Sequence, residues 1–205
     1  MPASALAGIR VIDFGHYVAG PLAAMLMGDF GADVIRVDPP TGPRHDTPAN
    51  ATWNRNKRSI ALDLKQPADR DIALRLIDSA DVLIENFRPG AMEGWGLGPD
   101  DLLTLNPKLI MLRISGYGQT GPMRDAPGFG AIGESMGGIR YVSGHPDRPP
   151  VRIGISIGDS IAALHGAIGA LMALRHRDAT GGRWNGQSGD ALQSGQGQMV
   201  DVALY

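Results

Sequence analysis

Short apolar segments alternate with helix-like segments through the first half of this 205-residue sequence. The strand-like segments are residues 9–13, 33–37, 59–64, 82–85 and 109–114, and helical patterns cover 21–30, 69–79 and 100–105. Strands that alternate with helices of this length form βαβ crossovers, which place the strands parallel in one sheet. The sequence therefore predicts an α/β fold, with a Rossmann-like parallel sheet and flanking helices.

The charge balance and the absence of cysteine exclude several classes of protein. With 19 basic and 21 acidic side chains the net charge is −2, which argues against nucleic-acid or membrane-surface binding by bulk electrostatics. No thiolate zinc site is available without cysteine, and no two histidines have metal-ligand spacing. The apolar segment 153–174 contains Asp159 and His165, which would be costly at membrane depth. Because residues 1–8 also lack a secretory pattern, we expect a cytoplasmic protein with no metal.

Glycine-rich and polar residues follow three of the predicted strands, at 14–21, 86–90 and 115–122. Ligands of parallel α/β sheets bind in the crevice beyond the carboxyl ends of the strands, so this pattern suits a nucleotide-sized ligand. Glycine-rich loops are also common after strands that bind nothing. Neither G-x-G-x-x-G nor a P-loop lysine is present, which argues against a dinucleotide or ATP site. The basic segment 54–59 is either an ordinary polar loop or a contact for phosphate or for an acid.

The second half of the sequence is dominated by one long helical pattern at 158–177. Its large apolar residues recur at three- and four-residue steps: Ile161, Leu164, Ile168, Leu171 and Leu174. A possible short helix lies at 128–138, and 178–198 has the composition of an exposed loop. Residues 199–205 resume a strand- or helix-like apolar pattern and then stop, which suggests a truncated chain.

Asp159 lies where the long helix begins, and two interpretations of it are open. Aspartate is a preferred helix N-cap, which would give it a purely structural role. Alternatively, the positive end of the helix dipole would keep its pKa low and the carboxylate ionised. Such a carboxylate can attack an acyl carbonyl and form a covalent anhydride, and Gly158 beside it would let a bulky substrate approach.

Taken in order, these motifs resemble the family III CoA-transferases of the formyl-CoA transferase and carnitine CoA-transferase type, also called CaiB/BaiF-like. The matching segments are LAGIRVID at 6–13, AGP at 19–21, GADVIRV at 31–37, NKRSI at 56–60, ADVLIENFRPG at 80–90, GYG at 116–118, GD at 158–159 and GQGQ at 195–198. The resemblance extends over essentially the whole chain rather than over a single motif.

The resemblance implies a catalytic aspartate and a coenzyme A site, with CoA as a substrate and no cofactor or metal. Asp159 corresponds to the aspartate that takes the acyl group and then carries CoA as a thioester, between an acyl-CoA donor and a carboxylic acid. The positions that correspond to CoA contacts are Val18, Ala19, Leu62, Lys65, Asn86, Phe87, Arg88, Gly116, Tyr117 and Gly118.

Departures from the family pattern bear on the substrate. Basic residues that some members use on the CoA phosphates are Pro39 and Gly94 here, which leaves Arg36 or Arg88 for that role. Val18 replaces a glutamine of the formyl-CoA enzymes, which argues against formate or oxalate. Segments 134–140 and 148–152 resemble the branch that acts on succinyl-CoA and similar dicarboxylate thioesters, where Arg140 or Arg152 would pair with a distal carboxylate.

Chains of this family are roughly twice as long as this one. Residues 1–205 therefore correspond to the N-terminal, CoA-binding and catalytic large domain, and the smaller domain that completes an interlocked homodimer is not included. Residues 183–194 have the character of an insertion. Two alternatives remain: a racemase of α-methylacyl-CoA thioesters, although Phe129 occupies the position of its histidine, and a non-catalytic, truncated CoA-binding domain.

Overall fold

Residues 4–42, 48–180 and 195–205 are described by a computed structural model of the chain. In chain order the elements are β1 (Arg10–Asp13), α1 (Ala19–Asp29), β2 (Asp33–Asp38), α2 (Pro48–Trp53), β3 (Lys57–Ala61), α3 (Pro67–Asp78), β4 (Val82–Glu85), α4 (Ala91–Gly94), α5 (Pro99–Leu105), β5 (Ile110–Ser115), α6 (Gly130–Met136), α7 (Ile157–Thr180) and β6 (Gln198–Ala203). The six strands form one parallel sheet in the order β3-β2-β1-β4-β5-β6. The predicted Rossmann-like α/β class is confirmed.

Helices cover both faces of the sheet, and each face has its own apolar core. Val11 and Ile12 are adjacent in β1 and point to opposite faces, as successive strand residues must. Val11 packs in the core beneath α1 and α7, and Ile12 packs in the core beneath α3, α4 and α5. The central strands β4 and β5 are buried along their whole length, as expected for strands that are covered on both sides.

Several predicted boundaries differ from the structure. Strand β3 begins at Lys57 and ends at Ala61, earlier than the predicted 59–64, and helix α2 was not predicted. Residues 178–180 continue helix α7 and Gln198 begins β6, so both ends of the predicted loop 178–198 were wrong. The predicted insertion at 183–194 lies outside the described residues.

Helix α7 packs on the sheet largely through its small residues. The spacing of its large apolar residues does not predict which face is buried. Its buried face includes Ala163 and Ala170, both fully buried, whereas Ile161, Leu164 and Ile168 are 46%, 49% and 48% exposed. Within the described residues α7 is the one helix long and apolar enough to cross a membrane by length and composition. In this fold it lies against α1, β5 and β6.

The strand order reverses direction between β1 and β4, and the loops that follow these strands diverge there. Such a point in a parallel sheet leaves a crevice at the carboxyl edge. The first turn of α7 lies at the same edge, because Gly158 packs close to the carbonyl oxygen of Leu204, just beyond the end of β6. The fold therefore gathers the strand-end loops and Asp159 on one side of the sheet.

Candidate active site

A cavity of about 400 Å³ lies beyond the carboxyl ends of β1 to β4. Its lining residues are Phe14, Gly15, His16, Arg36, Val37, Asp38, Pro39, Pro40, Thr41, Leu62, Asp63, Leu64, Lys65, Phe87 and Trp95. Three predicted CoA contacts, Leu62, Lys65 and Phe87, are among them. We call this cavity the nucleotide crevice.

Aromatic rings form one wall of the nucleotide crevice. The His16 and Phe87 rings stack with centroids 5.2 Å apart, and Trp95 meets Phe87 edge to face at 5.1 Å. Flat apolar surfaces of this kind suit a heteroaromatic base, which can stack on them. Trp95 was missed by the sequence reasoning, although it follows shortly after a predicted strand end.

A buried ion-pair network supports this wall from below. Arg113 donates from Nε to Glu85 Oε1 at 2.6 Å and from Nη1 to Glu93 Oε1 at 2.7 Å. The other oxygen of Glu85 accepts the backbone N–H of Phe87 at 2.7 Å. Burial raises the pKa of Glu85, and Arg113 opposes that shift. The network ties the loop after β4 to β5, and so holds Phe87 in place.

The turn after β1 is held by Asn86. The Asn86 carboxamide accepts the His16 N–H at 2.8 Å and donates to the His16 carbonyl at 2.9 Å. Within the turn, Tyr17 has a φ of 62°, in the left-handed region, and Val18 and Ala19 follow at the start of α1. Asn86, Val18 and Ala19 therefore lie together at the switch point, with the Asn86 amide engaged by protein.

Arg36, considered above for phosphate binding, is a buried cation in the crevice wall. It is 6% exposed, and its Nη2 lies 2.6 Å from Asp38 Oδ1, while Nη1 donates to Asn50 at 3.2 Å. Lys65 and Arg88 are exposed and make no ion pair within the described part of the chain. These two exposed cations lie on the loops after β3 and β4, beside the crevice.

The basic segment 54–59 is structural in this fold. Lys57 Nζ is buried and bonds Asp13 Oδ2 at 2.7 Å, the Pro21 carbonyl at 2.8 Å and Asn54 at 2.9 Å. The other Asp13 oxygen accepts the N–H of Gly15 at 2.8 Å, which anchors the turn after β1. The phosphate-contact alternative for this segment was therefore wrong for Lys57, because its ammonium is enclosed by protein oxygens.

Asp159 is the third residue of α7 and not its N-cap, so the capping interpretation was wrong. No hydrogen bond to its carboxylate is present among the residues that the structure describes, and Gly130 of α6 packs directly against it. Burial raises the pKa of Asp159, the nearby negative charge of Glu134 raises it further, and Arg152 opposes both. The predicted low pKa was wrong, because desolvation and Glu134 outweigh the helix end.

A second cavity, of about 660 Å³, lies beside the first turn of α7. It is lined by Gly133, Glu134, Gly137, Ile139, Ile157, Gly158, Ile161, Ala162, His165, Asp201, Val202, Ala203, Leu204 and Tyr205. We call it the α6–α7 cavity. Glu134, which was named only within a longer segment, is buried here next to the candidate nucleophile.

The loop Gly116 to Gly118 lies at the end of β5, between the nucleotide crevice and the α6–α7 cavity. Gly116 packs against the backbone of Gly128, where a Cβ would lie 2.7 Å from the Gly128 Cα. Tyr117 lies with its ring centroid 5.7 Å from that of Tyr205. The structure thus divides the predicted site residues into a crevice group and an Asp159 group, joined by this loop.

Comparison with known proteins agrees with this architecture. The family described as CoA-transferase family III matches residues 6–205. The succinyl-CoA–D-citramalate CoA-transferase of Chloroflexus aurantiacus is 48% identical over 100% of this chain and 50% of its own length. The succinyl-CoA–L-malate CoA-transferase beta subunit of the same organism is 47% identical over 98% of this chain and 49% of its own.

A solved structure has the same fold as this chain. The crystal structure of a CAIB/BAIF family protein from Brucella suis superposes with a TM-score of 0.87 and 34% identity, over 98% of this chain and 53% of that one. The chain therefore spans about half the length of the relatives that it matches.

Proposed function

Because this chain belongs to the CoA-transferases of family III, we propose that it moves CoA from an acyl-CoA donor to a carboxylic acid through a thioester on Asp159. One observation carries the proposal. A carboxylate that is partly buried, accepts no hydrogen bond from the described residues and packs against glycine lies at the same sheet edge as a nucleotide-sized crevice. Desolvation of this kind leaves a carboxylate more basic and hence more nucleophilic.

The proposed chemistry is covalent from start to finish. The Asp159 carboxylate attacks the thioester carbonyl, the C–S bond breaks, and CoA leaves as the thiolate from a mixed anhydride. The thiolate then attacks the Asp159 carbonyl and expels the donor's carboxylate, which leaves an aspartyl-CoA thioester. The acceptor acid reverses both steps. Gly130 leaves room for the Asp159 carboxylate itself, since a Cβ at that position would overlap Oδ2.

We place the CoA nucleotide in the crevice between β1 and β4. Leu62 and the ring of Phe87 would hold the base, and the exposed Lys65 and Arg88 would meet its phosphates. Val18 and Ala19, with Asn86, would bound the chain of the ligand at the switch point. The pantetheine arm would then pass the loop Gly116 to Gly118, and so bring the thioester to Asp159.

For the donor, we propose a dicarboxylate thioester such as succinyl-CoA. The relatives named above act on succinyl-CoA by name, and in this chain Arg152 acts on Asp159 while Arg140 lies near Glu134. Arg140 faces Glu134, with its Nη2 4.0 Å from the carboxylate, so its charge is directed into the protein. Arg152 is exposed and acts on the Asp159 carboxylate, which makes it the better partner for a distal carboxylate.

The assembly and location that we propose are those of the family resemblance. We propose that the active form is an interlocked homodimer in the cytoplasm and that this chain supplies its large domain. Under this proposal CoA is a substrate, and no resident cofactor is required.

Trapping of the adduct tests the proposed nucleophile. Incubation with succinyl-CoA followed by hydroxylamine should convert Asp159 to a hydroxamate, which peptide mass spectrometry locates. Asp159→Asn should abolish the adduct and CoA exchange, whereas Asp125→Asn, an exposed carboxylate on the loop after β5, should leave both intact. A hydroxamate on another residue, or undiminished exchange in the Asp159 variant, would overturn the proposal. Exchange of the α-proton with deuterated water in the absence of an acceptor would instead support the racemase alternative.

A further inference from the structure

Glu134 is a buried carboxylate without a conventional partner. It is 3% exposed, and neither of its oxygens has a hydrogen bond to any described residue. Its nearest cation is Arg140, whose Nη2 lies 4.0 Å from Oε2, beyond hydrogen-bond distance. Buried carboxylates normally accept several hydrogen bonds, because burial of an unsatisfied charge is costly. The structure therefore retains a destabilising group at this position.

Glu134 lies in the same contact between α6 and α7 as Asp159. Gly130, one turn earlier in α6, packs against the Asp159 carboxylate, where a Cβ would overlap Oδ2. Gly158, the residue before Asp159, packs against the Gly130 carbonyl and the Cγ of Glu134. The glycine contacts thus bring the two side chains close enough for the charge of Glu134 to act on Asp159, and Glu134 accepts no hydrogen bond from the described residues.

The charges around this pair are unequal. Glu134 opposes ionisation of Asp159, and Arg152, on the loop before α7, favours it. Arg140 lies behind Glu134, and the remaining titratable groups of the α6–α7 cavity are His165 on α7, Asp201 on β6 and Tyr205 after it. Burial and repulsion by Glu134 prevail, which raises the pKa of Asp159.

We propose that Glu134 is a positioning residue of the active site, whose charge destabilises the ionised form of Asp159 and drives it towards the uncharged thioester. The inference rests on the proposed function, since it requires Asp159 to be the nucleophile. Over both chemical steps, Asp159–COO⁻ and R–CO–S–CoA become Asp159–CO–S–CoA and R–COO⁻. The negative charge leaves the buried site with the released acid, so the repulsion is relieved when the adduct forms.

This scheme links two measurable quantities. Protonation and thioester formation both remove the charge of Asp159, so repulsion by Glu134 favours both by about the same factor. A change of one pKa unit corresponds to a tenfold change in the equilibrium. In a variant without the Glu134 charge, the fall of the adduct-forming rate at low pH (the acid limb) should therefore move, and the adduct should become less stable by the same factor.

Glu134→Gln is the test, with succinyl-CoA as the probe. The rate of adduct formation is measured against pH by rapid quench and intact mass. Its acid limb should remain visible in the variant but lie at lower pH. Above that limb, the equilibrium ratio of adduct to free enzyme should fall roughly threefold to tenfold, by the same factor as the displacement of the acid limb. Glu134→Asp, which retains the charge, should restore most of both values.

The outcomes separate this inference from the proposed function. If Asp159→Asn abolishes the adduct but Glu134→Gln leaves the acid limb and the equilibrium unchanged, the role of Glu134 is refuted and the nucleophile stands. If the adduct survives in Asp159→Asn, the proposed function fails first. Because Glu134 is buried without a hydrogen bond from any described residue and Arg140 is 4.0 Å away, its neutralisation should not lower the thermal midpoint. If the glutamine variant nevertheless fails to fold, Glu134→Met provides the same test without burying an amide.

Discussion

Arg152 and Glu134 act on Asp159 with opposite signs, and this opposition can be measured. Arg152 lowers the pKa of Asp159, so Arg152→Gln should raise it and move the acid limb of activity to higher pH. The ionised carboxylate is the attacking form, so activity on the acid side of the pH profile should fall. The pH dependence of kcat/KM, which reports groups of the free enzyme, is the measurement.

Arg152→Gln should also change the choice of donor. A charge-assisted bond to a distal carboxylate contributes about 1.5–3 kcal/mol, so the KM for succinyl-CoA should rise roughly tenfold or more. The KM for butyryl-CoA, which lacks that carboxylate, should change little. Arg148→Gln is the matched control, since Arg148 is exposed on the same loop. An equal rise for both donors would show that Arg152 does not recognise the distal carboxylate.

Sequence reasoning located Asp159 but not its environment. The place of Asp159 near the start of a helix follows from local pattern, because an apolar periodicity begins beside it. The direction of its pKa depends on Glu134, which comes from a different element and meets Asp159 only through the packing of Gly130 and Gly158. Contacts of this kind are tertiary, and no local spacing encodes them. The same holds for Trp95, whose place in the crevice depends on Phe87.

Among the elements, α7 shows most clearly what periodicity can and cannot decide. Apolar spacing identified the helix, since any face of an α-helix repeats at three and four residues. Apolar spacing could not show that the alanine and glycine face of α7 is the one that packs on the sheet. Gly169 explains why this face packs there, because a Cβ at Gly169 would lie 2.7 Å from Val200 of β6. Around Gly169 the helix lies too close to the sheet for large side chains, so Ile161, Leu164 and Ile168 point outward, whereas Leu174 further along the helix is buried.

Where α7 lies closest to the sheet, its inward face should therefore not tolerate a larger side chain. Ala170→Leu inserts three carbons at a fully buried position and should lower the free energy of unfolding by about 1–3 kcal/mol or more. Leu164→Ser, on the outward face, should change it by about 0.5 kcal/mol or less in the isolated chain. Urea unfolding of both variants is the measurement. A larger loss for Leu164→Ser than for Ala170→Leu would show that the large residues form the packed face.

Strand positions were the most predictable elements, and the exceptions have local causes. Residues 82–85 were predicted correctly as β4, because a fully buried strand is a continuous apolar run. Strand β3 lies at the edge of the sheet and begins with Lys57, a residue that pattern alone assigns to solvent. Its pairing with the buried Asp13 makes that lysine part of the sheet.

At the scale of the whole molecule, the carboxyl ends and the amino ends of the strands differ in what they carry. The carboxyl edge carries both cavities and Asp159. The opposite edge is closed by polar contacts, where Arg177 pairs with Asp81 at 2.9 Å and the Asn106 amide donates to the carbonyls of Ile77 and Ala80. These contacts tie α7 and the turn before β5 to the amino ends of the strands, whereas at the carboxyl edge both oxygens of Glu134 lack hydrogen bonds within the described residues.

The outward face of α7 leads us to predict that the chain self-associates. Ile161, Leu164 and Ile168 are each about half exposed, and Met172 is 68% exposed, so three turns of one helix present apolar surface to water. Exposed apolar patches of this size mark interaction sites. We expect the purified chain to self-associate through this face, in line with the proposed homodimer. Sedimentation equilibrium should show association that sulfate strengthens, because burial of apolar surface drives it.

Substitutions on that face should reverse the association. Leu164→Gln combined with Ile168→Gln should shift the chain towards monomer with little change in its free energy of unfolding, because both side chains lie on the outward face and are about half exposed. Met123→Gln, on the loop after β5 and 41% exposed, removes a comparable apolar side chain elsewhere and should leave the association unchanged. A wild-type chain that stays monomeric at the highest soluble concentration would contradict the prediction. Association that weakens in salt would instead indicate contact between charged surfaces, since salt screens exposed charges.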